Sequence, residues 1–188
     1  MSLDIYFIRH AETIYRAEDE DFNRPLSQKG LEDAKGLINN FKDIQIDMIY
    51  SSPYLRAIDT IRPLAVDQDL DIALINNLKE RKVADHYIDD FFEFATNQWN
   101  DFEYSLTGGE SLKEVQKRGI QALQKIVNNH QEGNIIVAGH GTWLGVMLNH
   151  FDKFYDYEFW KTIKMPDIFL FKYENNNLSE ITRIRAEE

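Results

Sequence analysis

The sequence has no cysteine, only four prolines and nine glycines in 188 residues, and no apolar run of membrane length. Without cysteine there can be no disulfide framework, thiolate metal cluster or cysteine nucleophile. A membrane span needs roughly 20 consecutive apolar residues, and none of the runs comes close. Met1-Ser2-Leu3-Asp4 places no basic stretch before an apolar one, which argues against a secretory leader. Positive charge is also scarce: 21 Lys+Arg stand against 32 Asp+Glu, a net charge of −11. That balance opposes binding to nucleic acid or anionic membrane, where Lys and Arg supply the affinity. The expectation is a soluble, cytoplasmic protein of one domain over 1–188, without nucleic-acid or membrane partners. No pattern in it sets an oligomeric state.

What is present alternates between two periodicities. Leu3 to Ile8 mixes β-branched and aromatic residues and stops at Arg9-His10, as a buried strand would. From Ser27, Leu31, Ala34, Leu37, Ile38 and Phe41 recur on one helical face. Ile46 to Tyr50 reads as a second strand and Asp71 to Leu78 as a third. Between them Pro53 suits a first helical turn, and Pro63 is expected to kink or end that helix before Leu64 and Ala65. Asp85 to Trp99 reads as a helical insertion, its Phe91, Phe92 and Phe94 either helical core or a wall over a pocket. Ser111 with Glu114 forms a capping-box pattern that opens a long helix. Asn134 to Ala138 is a clear strand, followed by Gly139-His140-Gly141 and an apolar helix; a hairpin around Asn175-Asn176-Asn177 closes the chain.

Strands alternating with helices predict an α/β three-layer sandwich whose central sheet is mostly parallel and flanked by helices. Right-handed crossovers then bring the turns at Arg9-His10, Ser51-Ser52 and His140-Gly141 to one sheet edge, where such folds bind ligands. Two histidines and two arginines would meet there. A neutral imidazole can attack phosphorus, and guanidinium groups match the oxygens of a phosphoryl group. The helix starting after His140 favours an anion at its N-terminus. Protonating a leaving oxygen needs a carboxyl group, for which Glu80 is the placed candidate and Glu12 the rival.

Several segments resemble those of the histidine phosphatase superfamily, the phosphoglycerate mutase-like proteins. Arg9-His10-Ala11-Glu12-Thr13 is similar to its Arg-His-Gly-Glu-Thr signature, and Pro25-Leu26-Ser27-Gln28-Lys29-Gly30 to its Pro-Leu-Thr-x-x-Gly segment. Ser51-Ser52-Pro53-Tyr54-Leu55-Arg56-Ala57 resembles Ser-Ser-Pro-x-x-Arg-Ala. Leu78-Lys79-Glu80, Gly108-Gly109-Glu110-Ser111 and Val137-Ala138-Gly139-His140-Gly141 follow in the family's order. The resemblance implies a phosphohistidine mechanism without cofactor or metal, acting on a small phosphorylated metabolite. His10 would be the nucleophile, and Arg9, Arg56, His140 and Gly141 would hold the phosphoryl group. Glu80 would be the proton donor, and residues 83–109 a cap or insertion over the site.

This chain departs from the pattern at three places. Ala11 replaces the usual glycine. Arg16 stands where many members carry asparagine, and would either reach the substrate or face solvent. Ala84-Asp85-His86-Tyr87-Ile88 replaces the usual Gly-x-Trp-Glu-Gly. Three functions stay open on these grounds: a phosphatase for a small phosphomonoester, a mutase-type phosphoryl transferase, and a non-catalytic module that binds phosphorylated ligands. Thr142 is read as packing or as a hydroxyl near phosphate, Glu110 as a helix-capping neighbour, and His86, His130 and His150 as surface or core residues. His10-Ala11-Glu12 superficially matches a zinc deaminase, but that site also needs cysteines. Arg9 beside His10 argues against a histidine-carboxylate metal site.

Overall fold

The computed structural model describes residues 2–15 and 21–184. Six strands form one sheet: β1 (Ser2–Arg9), β2 (Met48–Ser51), β3 (Ile72–Leu74), β4 (Gly133–Gly139), β5 (Asp167–Glu174) and β6 (Asn177–Ile184), in the order β3-β2-β4-β1-β5-β6. β3, β2, β4 and β1 are mutually parallel, β5 is antiparallel to β1, and β6 pairs antiparallel with β5. The expected α/β sandwich with a largely parallel sheet is what forms.

Alternation along β1 explains the layers, because successive side chains point to opposite faces. Leu3, Ile5 and Phe7 pack with Val137 and Phe171 against α4 (Leu112–Asn129) and α5 (Gly141–Phe151). Tyr6 and Ile8 face the other way, with Ile49 and Ile136, against α1 (Gln28–Phe41) and α2 (Leu55–Asp67). Both faces are covered, which is why β1 and β4 read as near-continuous apolar runs. Caps set the helix starts: Ser27 accepts from Gly30 N–H, and Ser111 and Glu114 form a full capping box. The β5–β6 turn places Asn175 and Asn176 at φ 51° and 64°, a left-handed pair that asparagine tolerates in tight hairpins.

Three local expectations need correction. α2 does not end at Pro63 but continues through it to Asp67, and Leu64 and Ala65 lie inside it, buried. An interior proline costs about 3 kcal/mol, but fully burying Ile61 and Leu64 gives back roughly 1.5–3 kcal/mol each. The third strand is only Ile72–Leu74, since a 3-10 turn at Asn76–Leu78 carries Leu78 into the core. The insertion is helical only as α3 (Phe91–Asn100), where the Asp90 carboxylate accepts from Glu93 N–H at 2.8 Å. A short α6 (Tyr157–Trp160) precedes β5.

Candidate active site

Sheet register assembles the site. Arg9 ends β1 opposite Gly139 of β4, and His10 N–H donates to the Gly139 carbonyl at 3.0 Å. His10 and His140 therefore leave adjacent strands together, their rings edge to face with centroids 5.3 Å apart. Ser52 N–H donates to the Ala138 carbonyl at 2.9 Å, which brings the end of β2 alongside. α2 starts there, and Arg56, in its first turn, donates from Nε to His10 Nε2 at 3.2 Å.

Hydrogen bonding assigns the His10 tautomer. His10 Nδ1 lies 2.8 Å from the Ala11 carbonyl, which can only accept, so Nδ1 carries the hydrogen and Nε2 the lone pair. Burial, then the positive charge of Arg56, pushes the His10 imidazole down to about 3. Nε2 is thus an unprotonated nitrogen near neutral pH. Ala11 sits in the turn without a positive φ, its N–H donating to Thr60 Oγ1 at 2.9 Å, so the missing glycine costs the turn nothing. His140 Nε2 meets Ser52 Oγ at 2.8 Å. Ser52 Oγ also accepts from Tyr54 N–H at 3.3 Å. His140 Nδ1 is a buried atom with no partner among the described residues. Burial, then Arg56, lowers His140 well below its ordinary value.

Arg9 donates through Nη1 to the Ile163 carbonyl, and its buried Nε has no partner among the described residues. Gly141 makes room for it: a Cβ there would lie 2.9 Å from Arg9 Cζ. Glu80 occupies the N-terminus of α5, where its carboxylate accepts from Thr142 N–H at 3.0 Å and Trp143 N–H at 3.1 Å. The group that takes the free N–H donors at that helix end is therefore a side chain of the protein itself. Arg118 holds Glu80's segment by donating to the carbonyls of Asn77, Lys79 and Glu80 at 2.9, 2.7 and 3.1 Å. Arg118 Nε also pairs with Glu110 at 2.8 Å.

An open cleft of about 1150 Å³ exposes Arg9, His10, Arg56, Glu80 and Gly141 together. His140 does not line it; the ring is fully buried, edge-on to His10. Arg16 lies outside the described residues. Glu12 is also absent from the cleft, because its carboxylate accepts from Ser27 Oγ at 2.7 Å and tethers the start of α1. Thr142 and His86 do line it. Phe94 is core, whereas Phe91 and Phe92 form part of the cleft wall. Among the described residues, six cationic side chains (Arg9, Arg24, Arg56, Arg81, Lys82, Lys161) line the cleft against Asp21, Glu80 and Asp89. A protein of net charge −11 thus keeps a locally cationic hollow.

Sequence reasoning missed Asp21, Arg24, Tyr54 and Arg118. Asp21 binds Arg56 through its backbone carbonyl, 2.5 Å from Nη1, and its carboxylate pairs with both Arg56 and Arg24. Tyr54 packs against His140, centroids 5.0 Å apart, and under the Arg56 guanidinium at 4.8 Å. The only sequence signal for Tyr54 was its place within the Ser51–Ala57 segment, and for Arg118 a lone cation on an otherwise apolar helix face.

This fold and strand-end constellation define a family. The chain belongs to the histidine phosphatase superfamily (branch 1), whose family model matches residues 5–179. It is 26% identical over 155 residues to the adenosylcobalamin/alpha-ribazole phosphatase of Escherichia coli, covering 77% of this chain and 76% of that protein. To a metal-independent phosphoserine phosphatase of Arabidopsis thaliana it is 28% identical over 154 residues, covering 73% of this chain and 64% of the other. Mycobacterial glucosyl-3-phosphoglycerate phosphatase has a similar fold, with a TM-score of 0.77 at 16% identity over 97% of each chain.

Proposed function

We propose that the protein is a phosphatase that hydrolyses a small phosphomonoester through a phosphohistidine on His10. The observation that carries this reading is the His10 tautomer: Nδ1–H is tied to the Ala11 carbonyl, which leaves the lone pair on Nε2, where Arg56 Nε–H holds it until a phosphoryl group takes its place. Nε2 attacks phosphorus and the bond to the leaving oxygen breaks, with the proton coming from the Glu80 carboxyl group. Water then loses a proton to the Glu80 carboxylate and attacks the phosphohistidine. The P–N bond breaks, phosphate departs, and Nε2 regains its lone pair. Arg9 and Arg56 stabilise the transferring oxygens, the buried His140 ring packs edge-on against His10 and helps fix its orientation, and the Nδ1–H bond to Ala11 supports the charge that develops on His10.

Gly141 serves this site by admitting the Arg9 guanidinium. Residues 83–109, including α3, act as a cap within a single domain of 1–188. Phosphatase relatives acting on different phosphorylated compounds support the class of reaction, and the acidic composition excludes polyanions as substrates. Among the described residues no helix is long and apolar enough to cross a membrane, and a cytoplasmic site of action suits the cysteine-free chain. Mutase-type transfer needs the phosphoryl group shielded from water, and this cleft is open.

The test is phosphate release from p-nitrophenyl phosphate together with an alkaline-quenched phosphoenzyme assay. Wild type should form the labelled intermediate, and His10→Ala should lose both label and turnover, by more than about 10⁴-fold in kcat. Unchanged turnover in His10→Ala, or isomerised phosphoglycerate in excess of released phosphate, would overturn the assignment.

A further inference from the structure

The cleft is two-sided. Its floor carries the buried His10 and Arg56 with the half-buried Arg9, while Tyr15, Tyr87, Phe91, Phe92, Trp160 and Met165 line it nearer the solvent, with the exposed Lys82 and Lys161 among them. Most of these are exposed, Tyr87 by 79% and Phe92 by 68%. The aromatic residues and Met165 come from three separate stretches of chain: the loop after β1, the 83–90 segment with the start of α3, and α6 with the loop that follows it to β5. Chain connectivity does not explain their convergence on one opening, and exposed apolar clusters of this kind mark ligand sites. The wall is also braced. The buried Arg81 guanidinium lies 5.5 Å from the Phe91 ring centroid and 5.0 Å from that of Phe94, and it donates to Gln98 Oε1. Gln98 Nε2 in turn donates to the carbonyls of Tyr104 and Glu110 at 3.0 and 2.9 Å. A phosphoryl group on a short polar chain would fill the floor and leave this braced aromatic side bare.

We infer that the leaving group of the natural substrate carries a planar aromatic or heteroaromatic ring, held against this wall while the phosphoryl end sits at His10. The inference rests on the phosphatase reading for the position of the phosphoryl end. Charge and shape agree with such a molecule: a dianionic head for the cationic floor and a flat apolar body for aromatic rings, which prefer stacked or edge-on partners.

Non-hydrolysable phosphonates test this by binding alone, so that turnover does not enter the measurement. Calorimetry with wild type should give benzylphosphonate an affinity at least about tenfold above that of propylphosphonate, a difference of about 1.4 kcal/mol. In a Tyr87→Ala, Phe92→Ala double variant, both residues being exposed, the preference should fall below about threefold while inorganic phosphate binds as before. Equal affinity of the two phosphonates, or a preference that survives in the double variant, overturns the inference and leaves the phosphatase reading standing. Failure of inorganic phosphate and both phosphonates to bind wild type overturns the phosphatase reading and this inference together. Binding of a phosphonomethyl-phenylalanine peptide more than tenfold tighter than benzylphosphonate also overturns it, since the wall would then dock protein.

Discussion

His10 shows how few atoms decide this chemistry. One backbone carbonyl, that of Ala11, selects the tautomer, and burial beside Arg56 keeps the ring neutral. The same shift governs acid stability. Folding lowers the imidazole from 6.5 to about 3, so between those values the unfolded chain binds a proton that the folded chain refuses. The stability contributed by neutral His10 is complete above pH 6.5 and declines as the pH falls toward 3, by up to about 1.4 kcal/mol per pH unit. Urea unfolding of wild type and His10→Asn between pH 6.5 and 4 should therefore show a shallower pH slope for the variant; parallel slopes would contradict the burial argument. At Gly141 the constraint is space. Gly141→Ala should push the Arg9 guanidinium aside and weaken competitive inhibition by inorganic phosphate by about tenfold, equivalent to the loss of one charge-assisted hydrogen bond. An unchanged inhibition constant would mean that Arg9 does not hold the phosphoryl group.

The elements divide between those whose ends are written locally and those placed by contacts across the fold. Ser27 and Ser111 announce α1 and α4 through their caps, and the Asn175-Asn176 pair announces the hairpin. α2 is the counter-example, since burial of Ile61, Leu64 and Ala65 carries it through Pro63. α4 does more than cover the sheet. Its Arg118 binds three carbonyls of the segment carrying Glu80 and pairs with Glu110. Arg118→Met should leave these carbonyls and the Glu110 carboxylate poorly satisfied, costing about 2–4 kcal/mol in chemical denaturation. Because Glu80's segment is released, kcat for an alkyl phosphate, which needs a proton donor, should fall more than kcat for p-nitrophenyl phosphate. Equal losses on both substrates would make Arg118 a stability residue alone.

At the scale of the whole molecule, an acidic surface surrounds a cationic hollow. Screening acts over about 8 Å at physiological salt, so a small anion inside the cleft meets the arginines, whereas a polyanion lying across the surface meets the net charge of −11. The protein should therefore pass unretained through a heparin column at 0.15 M salt while still being inhibited by inorganic phosphate; retention would show that the basic lining reaches well beyond the cleft.

Local order along the chain already specified the α/β alternation, the strand ends carrying Arg9-His10 and His140-Gly141, and the helix caps, because periodicity and capping act over a few neighbouring residues. Packing alone settled the rest. Glu80 reaches the backbone of α5 across 62 residues of chain, Ser52 orients His140 across 88, and Arg56 grips Asp21 across 35. Such pairings are absent until the sheet register is formed, and the register arises from burying both faces of β1 and β4 at once. The aromatic side of the cleft has the same origin, since its rings line one opening only when three distant stretches of chain fold together.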